Sequence, residues 1–197
     1  MKKKIGFVSV FIPADQFKKR YELGGLTVCH FGEVLDEELG AYRCHECSVP
    51  TSDYDEEYVS EQYAKFLKAL AESELSIAKT QKIAEIENYD MSPKVNGFIL
   101  NGVEAWLDKG TRVGLMNSTT IAKNAGHETT TLWFGDKKIE VGCDKAIALL
   151  SALEMYALEC FNVTAAHKKA VEELTEIEDV LAFDVTSDYP ERLTMEV

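Results

Sequence analysis

The chain has 197 residues, a net charge of −13 and 28% charged side chains, a composition typical of a globular protein with enough apolar residues to bury a core. The excess of carboxylates argues against a nucleic-acid partner, because binding to phosphates depends on clustered lysines and arginines. We expect no membrane span, since no uninterrupted run of about 18 apolar residues occurs. We also expect no secretory signal, because the first apolar run is short and is followed by Pro13 and Asp15.

Residues 1–50 are rich in strand-forming residues, and glycines punctuate them. The runs KIGFVSVFI, GLTVCHFGEVL and AYRCHECSVP each predict a strand. We therefore expect a small β-rich docking unit of about three strands over residues 1–50.

Residues 51–90 predict one long helix, because no proline interrupts them. Ser52 or Asp53 is the expected N-cap. Tyr63 and Phe66 lie on an apolar seam with spacings of three and four, and both are candidate partner contacts. A continuous helix would be about 50 Å long, as expected for a stalk or an oligomer interface. A helical hairpin that breaks near Ser73 is the plainer alternative.

Residues 91–197 predict a domain of helices with two β-hairpins, which makes the fold class α+β. Asn101-Gly102 separates two apolar runs and accepts the positive φ angles of a type I′ turn. Gly135-Asp136 joins the second pair of strands. The segment that ends at Gly126 predicts a helix between the two hairpins.

Two further helices are predicted near the C-terminus. The first, residues 143–161, is apolar on so many sides that we expect it to be buried, Phe161 included. Asn162 or Thr164 is the expected N-cap of the second helix, and His167 would then lie in its first turn. The last 14 residues predict an irregular tail.

The cysteines near the N-terminus raise the question of a metal or redox site. Cys44, His45 and Cys47 lie within four positions, and Cys29 lies upstream. Zinc needs four converging ligands, but residues three apart in a strand face opposite sides. We therefore predict packed thiols and no cofactor. A zinc or thiol protein that uses the Cys29/Cys44/Cys47 cluster is an alternative.

The two tryptophans are candidate interface residues. Trp106 and Trp133 each lie in a hairpin strand beside a helix. The plain interpretation places both in the core. In the alternative, at least one of them anchors a contact with a partner, where Trp and Arg are enriched. Arg112 follows Trp106 by six residues and would belong to the same patch.

The order of features from about residue 86 to residue 197 resembles a bacteriophage and prophage domain of unknown function that recurs in tail and tail-fibre-associated proteins. The matching stretches are Trp106 to Arg112, Leu132 to Phe134 and the two predicted C-terminal helices. The resemblance implies a component of the virion, in the tail, baseplate or fibre-attachment region, made in the host cytoplasm. It supplies no catalytic motif.

These patterns together predict a non-enzymatic structural or adaptor protein. We expect its partners to be other phage structural proteins and further copies of itself, with neither nucleic acid nor membrane involved. The first alternative is an assembly chaperone or host-interaction factor that the virion does not retain. The predicted domain boundaries are residues 1–50, 51–90 and 91–197.

Overall fold

The computed structural model describes residues 3–196 and confirms the predicted α+β class, with 49% helix and 26% strand. The strands are β1 (Val8–Pro13), β2 (Arg20–Leu23), β3 (Leu26–Asp36), β4 (Ala41–Pro50), β5 (Phe98–Leu100), β6 (Val103–Ala105), β7 (Thr129–Phe134), β8 (Lys137–Gly142) and β9 (Thr194–Met195). The α-helices are α1 (Glu56–Asp90), α2 (Pro93–Asn96), α3 (Lys109–Asn124), α4 (Cys143–Glu173) and α5 (Ile177–Ala182).

The chain divides into two compact units within α1, between Glu74 and Leu75. Unit 1 comprises the residues up to Glu74, and unit 2 comprises those from Leu75 onward. The predicted boundaries at residues 50 and 90 differ from this division because each half of the helix belongs to a different core. Val59 is buried in unit 1, whereas Ile86 is buried in unit 2.

Unit 1 contains a four-stranded antiparallel sheet in the order β1-β4-β3-β2. The sequence predicted three strands and missed β2, which has only four residues and two charged side chains. One face of the sheet packs on the first half of α1, where Cys29, Cys47 and Val49 surround Val59.

Helix α1 is continuous over 35 residues, so the alternative with a break near Ser73 is wrong. The predicted caps, Ser52 and Asp53, lie instead in a short 3₁₀ turn. Asp55 begins the helix, since its side-chain oxygen accepts from the backbone N–H of Tyr58 at 3.0 Å.

The other face of the sheet buries His30, which is 2% exposed. Its Nδ1 lies 2.5 Å from the backbone oxygen of Lys18, and its Nε2 lies 2.9 Å from Oε2 of Glu46. A carbonyl oxygen only accepts, so Nδ1 donates to Lys18, and Nε2 faces the Glu46 carboxyl group. The ring of Phe17, with its centroid 5.6 Å from that of His30, packs against this pair.

Strand β3 contains a bulge between Phe31 and Val34, at the point where Tyr63 of α1 approaches the backbone. Gly32 has a φ of +62°, and a Cβ atom there would lie 2.5 Å from the Tyr63 hydroxyl. This hydroxyl cannot move away freely, because it bonds with Nδ1 of His45 at 3.0 Å and its ring stacks on Phe31 at 4.6 Å.

Unit 2 is built on α4, a single helix of 31 residues. The predicted break at Asn162 or Thr164 is wrong. Thr164 lies inside the helix, and its hydroxyl bonds with Asp90 Oδ1 at 2.8 Å and with Cys160 O at 3.1 Å. His167 is therefore a mid-helix residue, and it is buried.

Both predicted hairpins of unit 2 are present. Asn101 and Gly102 have positive φ angles and join β5 to β6, and Gly135 does the same between β7 and β8. The predicted tail is partly ordered, because β9 pairs in parallel with β5 and buries Met195.

Among the residues that the structure describes, three groups of apolar side chains form the core of unit 2. The first lies between the two hairpins and α4, with Phe98, Leu132 and Leu150 fully buried. The second joins the latter half of α1 to the end of α4 and to α5, through Ile86 and Val171. The third surrounds Tyr156 and Cys160 of α4.

We predict that Gly32→Ala destabilises unit 1 more than Gly40→Ala does. Gly40 has a similar φ of +59° but open space around it, so its substitution costs only the left-handed backbone penalty of about 1–2 kcal/mol. At Gly32 the clash with Tyr63 adds about 1–3 kcal/mol. Urea unfolding followed by far-UV circular dichroism measures both losses.

Tyr63→Phe provides the control for the clash at Gly32. It removes the hydroxyl that the new methyl group would meet, so we expect the extra cost of Gly32→Ala to shrink in the Tyr63→Phe background. Equal losses for the two glycine variants in the parent chain would contradict the close approach.

Candidate functional site

Trp106 follows β6 and lies where three cavities of unit 2 meet. Cavities of about 610, 570 and 210 Å³ each include it in their lining. Its side chain is 47% exposed, so the prediction of a core tryptophan is wrong. The first cavity combines apolar and charged residues, and it is called the Trp106 groove below.

The apolar wall of the Trp106 groove consists of Met91, Trp106, Leu107, Ala157, Leu158 and Phe161. Leu158 is 49% exposed, Phe161 62% and Met91 67%. The expectation that Phe161 is buried is therefore wrong. The core of unit 2 covers one face of α4, through residues such as Leu153, and leaves the neighbouring apolar face uncovered.

The lining of the groove includes an ion pair between α3 and α4, in which the arginine is buried and the glutamate is partly exposed. Arg112, which is 7% exposed, donates through Nε to Oε1 of Glu154 at 2.9 Å. Its NH1 group donates to the backbone oxygen of Leu107 at 2.7 Å. Because Leu107 adjoins Trp106, these two bonds hold the backbone beside the indole ring.

Two further carboxylates lie at the groove, Asp90 at the end of α1 and Asp108 at the start of α3. Asp90 accepts from the Thr164 hydroxyl. Asp108 caps α3, and hydrogen bonds from the side chain and the backbone N–H of Thr111 lower the pKa of Asp108. Among residues 3–196, neither carboxylate has a lysine or arginine nitrogen within 4 Å.

The 570 Å³ cavity is a slot beside the Trp106 groove. One side of it is β6, which within the described part of the chain is an edge strand paired only with β5. The other side is the turn of the β7–β8 hairpin, with Lys137 and Lys138. The slot thus exposes the edge of a sheet.

The structure brings together only two of the five predicted interface residues. Trp106 and Arg112 line the same groove. Trp133 is 54% exposed on β7, outside the lining of the three cavities described, and it too is not a core residue. Tyr63 and Phe66 are half-buried in unit 1, where both contact the ring of Phe7.

Sequence reasoning missed Met91 and Leu158 as surface residues of the groove. Leu158 did carry a signal, since α4 has more apolar residues around its circumference than one buried face needs. Met91 had none, because its position depends on where α1 ends relative to α3 and α4.

The early cysteines do not form one cluster. Cys29 and Cys47 are opposite each other in β3 and β4 and are buried against α1. Cys44 is three residues from Cys47, so it faces the other side of the sheet. Within residues 3–196, no three His, Cys, Asp or Glu side chains are arranged to hold a metal ion. Burial raises the thiol pKa of all three cysteines, that of Cys47 to about 12.

Comparisons with known proteins add no family assignment. No protein-family model, curated protein or solved structure matches the chain. The resemblance of residues 86–197 to a phage tail-associated domain therefore stays a prediction.

Helix α4 is, among the described residues, the one helix long and apolar enough to cross a bilayer by length and composition. The expectation of no membrane span was based on the absence of about 18 consecutive apolar residues. That criterion is stricter than the mean hydropathy of a helix, which α4 satisfies. The core helix of a soluble protein also passes the looser test, although only 28% of the apolar window of α4 is buried in the protein. Length and composition alone are therefore weak support for a membrane location.

We predict that Glu154→Ala destabilises unit 2 by about 2 kcal/mol. It leaves the buried Arg112 guanidinium without its carboxylate, and the loss is smaller than the 3–5 kcal/mol of a fully buried pair because Glu154 is partly solvated. Glu154→Gln keeps an acceptor for Nε and should cost less. Urea unfolding followed by tryptophan fluorescence measures the losses, and exposed Glu159→Ala on α4 is the control. Equal losses for the two alanine variants would argue against a structural ion pair.

We also predict that the stability of unit 1 falls with rising pH through the Cys47 thiol. Burial and, secondarily, Cys29 raise its pKa from 9.0 to about 12 in the folded state. Between these values the unfolded chain releases this proton and the folded chain does not, so stability decreases as pH rises.

The test of this prediction compares Cys47→Ala with the parent chain. The parent is more stable at about pH 8, and its advantage should shrink by about pH 10.5, where only its unfolded state ionises at this position. Urea unfolding at each pH gives the difference. An advantage that stays constant over this range would show that the thiol titrates equally in both states.

Proposed function

We propose that this protein is a non-catalytic adaptor or structural protein that binds a partner protein through the Trp106 groove. The observation that carries the proposal is the set of four large apolar side chains around one cavity, each about half exposed or more: Met91, Trp106, Leu158 and Phe161. Soluble proteins seldom leave such a contiguous patch exposed unless it contacts a partner.

The geometry beneath the patch supports a preformed binding surface. The Arg112–Glu154 pair and the bond from Arg112 to Leu107 hold the backbone next to Trp106 before any partner arrives. A surface that is already ordered loses less conformational entropy on binding. Trp is also among the residues that contribute most to binding energy at interfaces.

The composition of the groove supports binding rather than catalysis. Its described lining has carboxylates, a lysine and an arginine, but no thiol, hydroxyl or imidazole group. The raised pKa of Cys29, Cys44 and Cys47 disfavours a reactive thiolate in unit 1.

The proposed setting is a bacteriophage particle, in the tail, baseplate or fibre-attachment region. This part rests on the sequence resemblance of residues 86–197. Self-association is part of the same proposal and rests on the apolar side chains that α1 leaves exposed, Leu67 at 41% and Ile77 at 55%, since Val59 and Ile86 are buried in the cores of their own units. The partners would then be other virion proteins and further copies of the chain.

We expect mass spectrometry of purified particles from a strain that encodes the chain to detect it in stoichiometric amount with known virion proteins. We also expect the purified protein to gain mass with concentration in analytical ultracentrifugation. Absence from the particles would contradict the virion assignment and favour the assembly-chaperone or host-interaction alternative. A mass independent of concentration would contradict self-association.

A further inference from the structure

The exposed wall of the Trp106 groove is helical. On α4, Glu154, Ala157, Leu158 and Phe161 line it, at spacings of three, one and three residues. Such positions lie on one face of a helix and extend for about 10 Å along its axis. A row of this kind is the surface against which another helix packs by inserting its own row of side chains.

The charge of the groove selects the partner. Its lining has three carboxylates, Asp90, Asp108 and Glu154, against two cations, Lys109 and Arg112. The ion pair between Glu154 and Arg112 neutralises one negative and one positive charge. Two carboxylates and one lysine remain beside the apolar wall, in a chain whose net charge is −13.

We propose that the occupant of the Trp106 groove is an amphipathic helix of a partner protein whose apolar stripe is flanked by lysine or arginine. This inference rests on the proposed function and names its partner class. Apolar residues of the guest helix would cover Leu158 and Phe161. Its cations would meet Asp90 and Asp108 or the face of the Trp106 ring, where a cation is attracted to the π electrons.

A second copy of the chain is the weaker occupant of this groove. Two chains of net charge −13 repel each other, and in such a dimer each chain would place Asp90 and Asp108 against the other chain. The self-association proposed above uses α1 and leaves the groove free.

The test uses the full chain with Trp133→Phe, so that Trp106 is the only fluorescent indole. The probe is a synthetic helical peptide of leucine and lysine, with leucines at spacings of three and four. We expect saturable binding with a blue shift of the Trp106 emission, weakened by salt. A matched peptide with glutamate in place of lysine should bind at least about tenfold more weakly. A peptide of the same composition in scrambled order should lose the apolar stripe and most of the affinity.

Variants of the protein locate the binding. Asp90→Asn and Asp108→Asn each keep a side-chain oxygen that accepts hydrogen bonds, and asparagine at position 108 can still cap α3. Each substitution should lower the affinity for the lysine peptide by about two- to fivefold at low salt. Glu159→Gln, which removes an exposed carboxylate of α4 outside the groove lining, should leave the affinity unchanged. Leu158→Ser with Phe161→Ser should abolish the shift without disturbing the core, because both side chains are exposed.

The outcomes separate this inference from the proposed function. If the glutamate peptide bound as tightly as the lysine peptide, the inference of a cationic partner would be wrong, although the groove would still be a binding surface. Equal affinity for the scrambled peptide would overturn the helical partner. A shift of the Trp106 emission on dilution of the protein alone would show that a second copy occupies the groove. A shift with neutral phosphatidylcholine vesicles would show that the groove contacts a membrane. If none of these probes shifts Trp106, the proposed function of the groove fails as well.

Discussion

Polar bonds decide which face of α4 the core of unit 2 receives. Tyr156 donates to the backbone oxygen of Val95 at 2.6 Å, and Thr164 bonds with Asp90 and with the hydroxyl of Tyr189. Unmade, these buried polar bonds would each cost about 1–3 kcal/mol, so the helix cannot rotate to bury its other apolar face. The exposure of Leu158 and Phe161 is thus a consequence of hydrogen bonds on the neighbouring, buried face of the helix.

The same orientation explains why Arg112 is buried. Glu154 lies on the same face of α4 as Leu158 and Phe161, so its carboxylate reaches the guanidinium from the groove side. Burying a charge needs a partner and further hydrogen bonds, and the backbone oxygen of Leu107 supplies one. The groove therefore combines a charged pair with apolar side chains, an arrangement that discriminates between partners by charge as well as by shape.

Elements defined by local chemistry were predictable from the sequence. The turns at Asn101-Gly102 and at Gly135 need positive φ angles that few residues adopt, and the long run without proline predicted α1. Strand β2 and the continuity of α4 were not predictable in this way. Thr164 resembles a helix cap by type, and only its contacts with Asp90 and Tyr189 explain its place inside a helix.

The groove was predictable only in part, for a similar reason. Trp106 and Arg112 are close in sequence and were recognised as a pair. Met91 and Phe161 reach the same cavity from α1 and α4, and such convergence depends on tertiary packing. The opposite faces of Cys44 and Cys47 followed from strand geometry alone, because side chains alternate along a strand.

The bonds of His30 have a consequence for how the sheet of unit 1 assembles. His30 is directly opposite Glu46 in the pairing of β3 with β4. If the two strands paired one residue out of step, Glu46 would be opposite Cys29 or Phe31 instead of His30, and the imidazole would lose one of its two oxygen partners. Both one-residue slips of this hairpin would thus leave Nε2 of His30 without its oxygen partner, so a single histidine favours the correct alignment during folding.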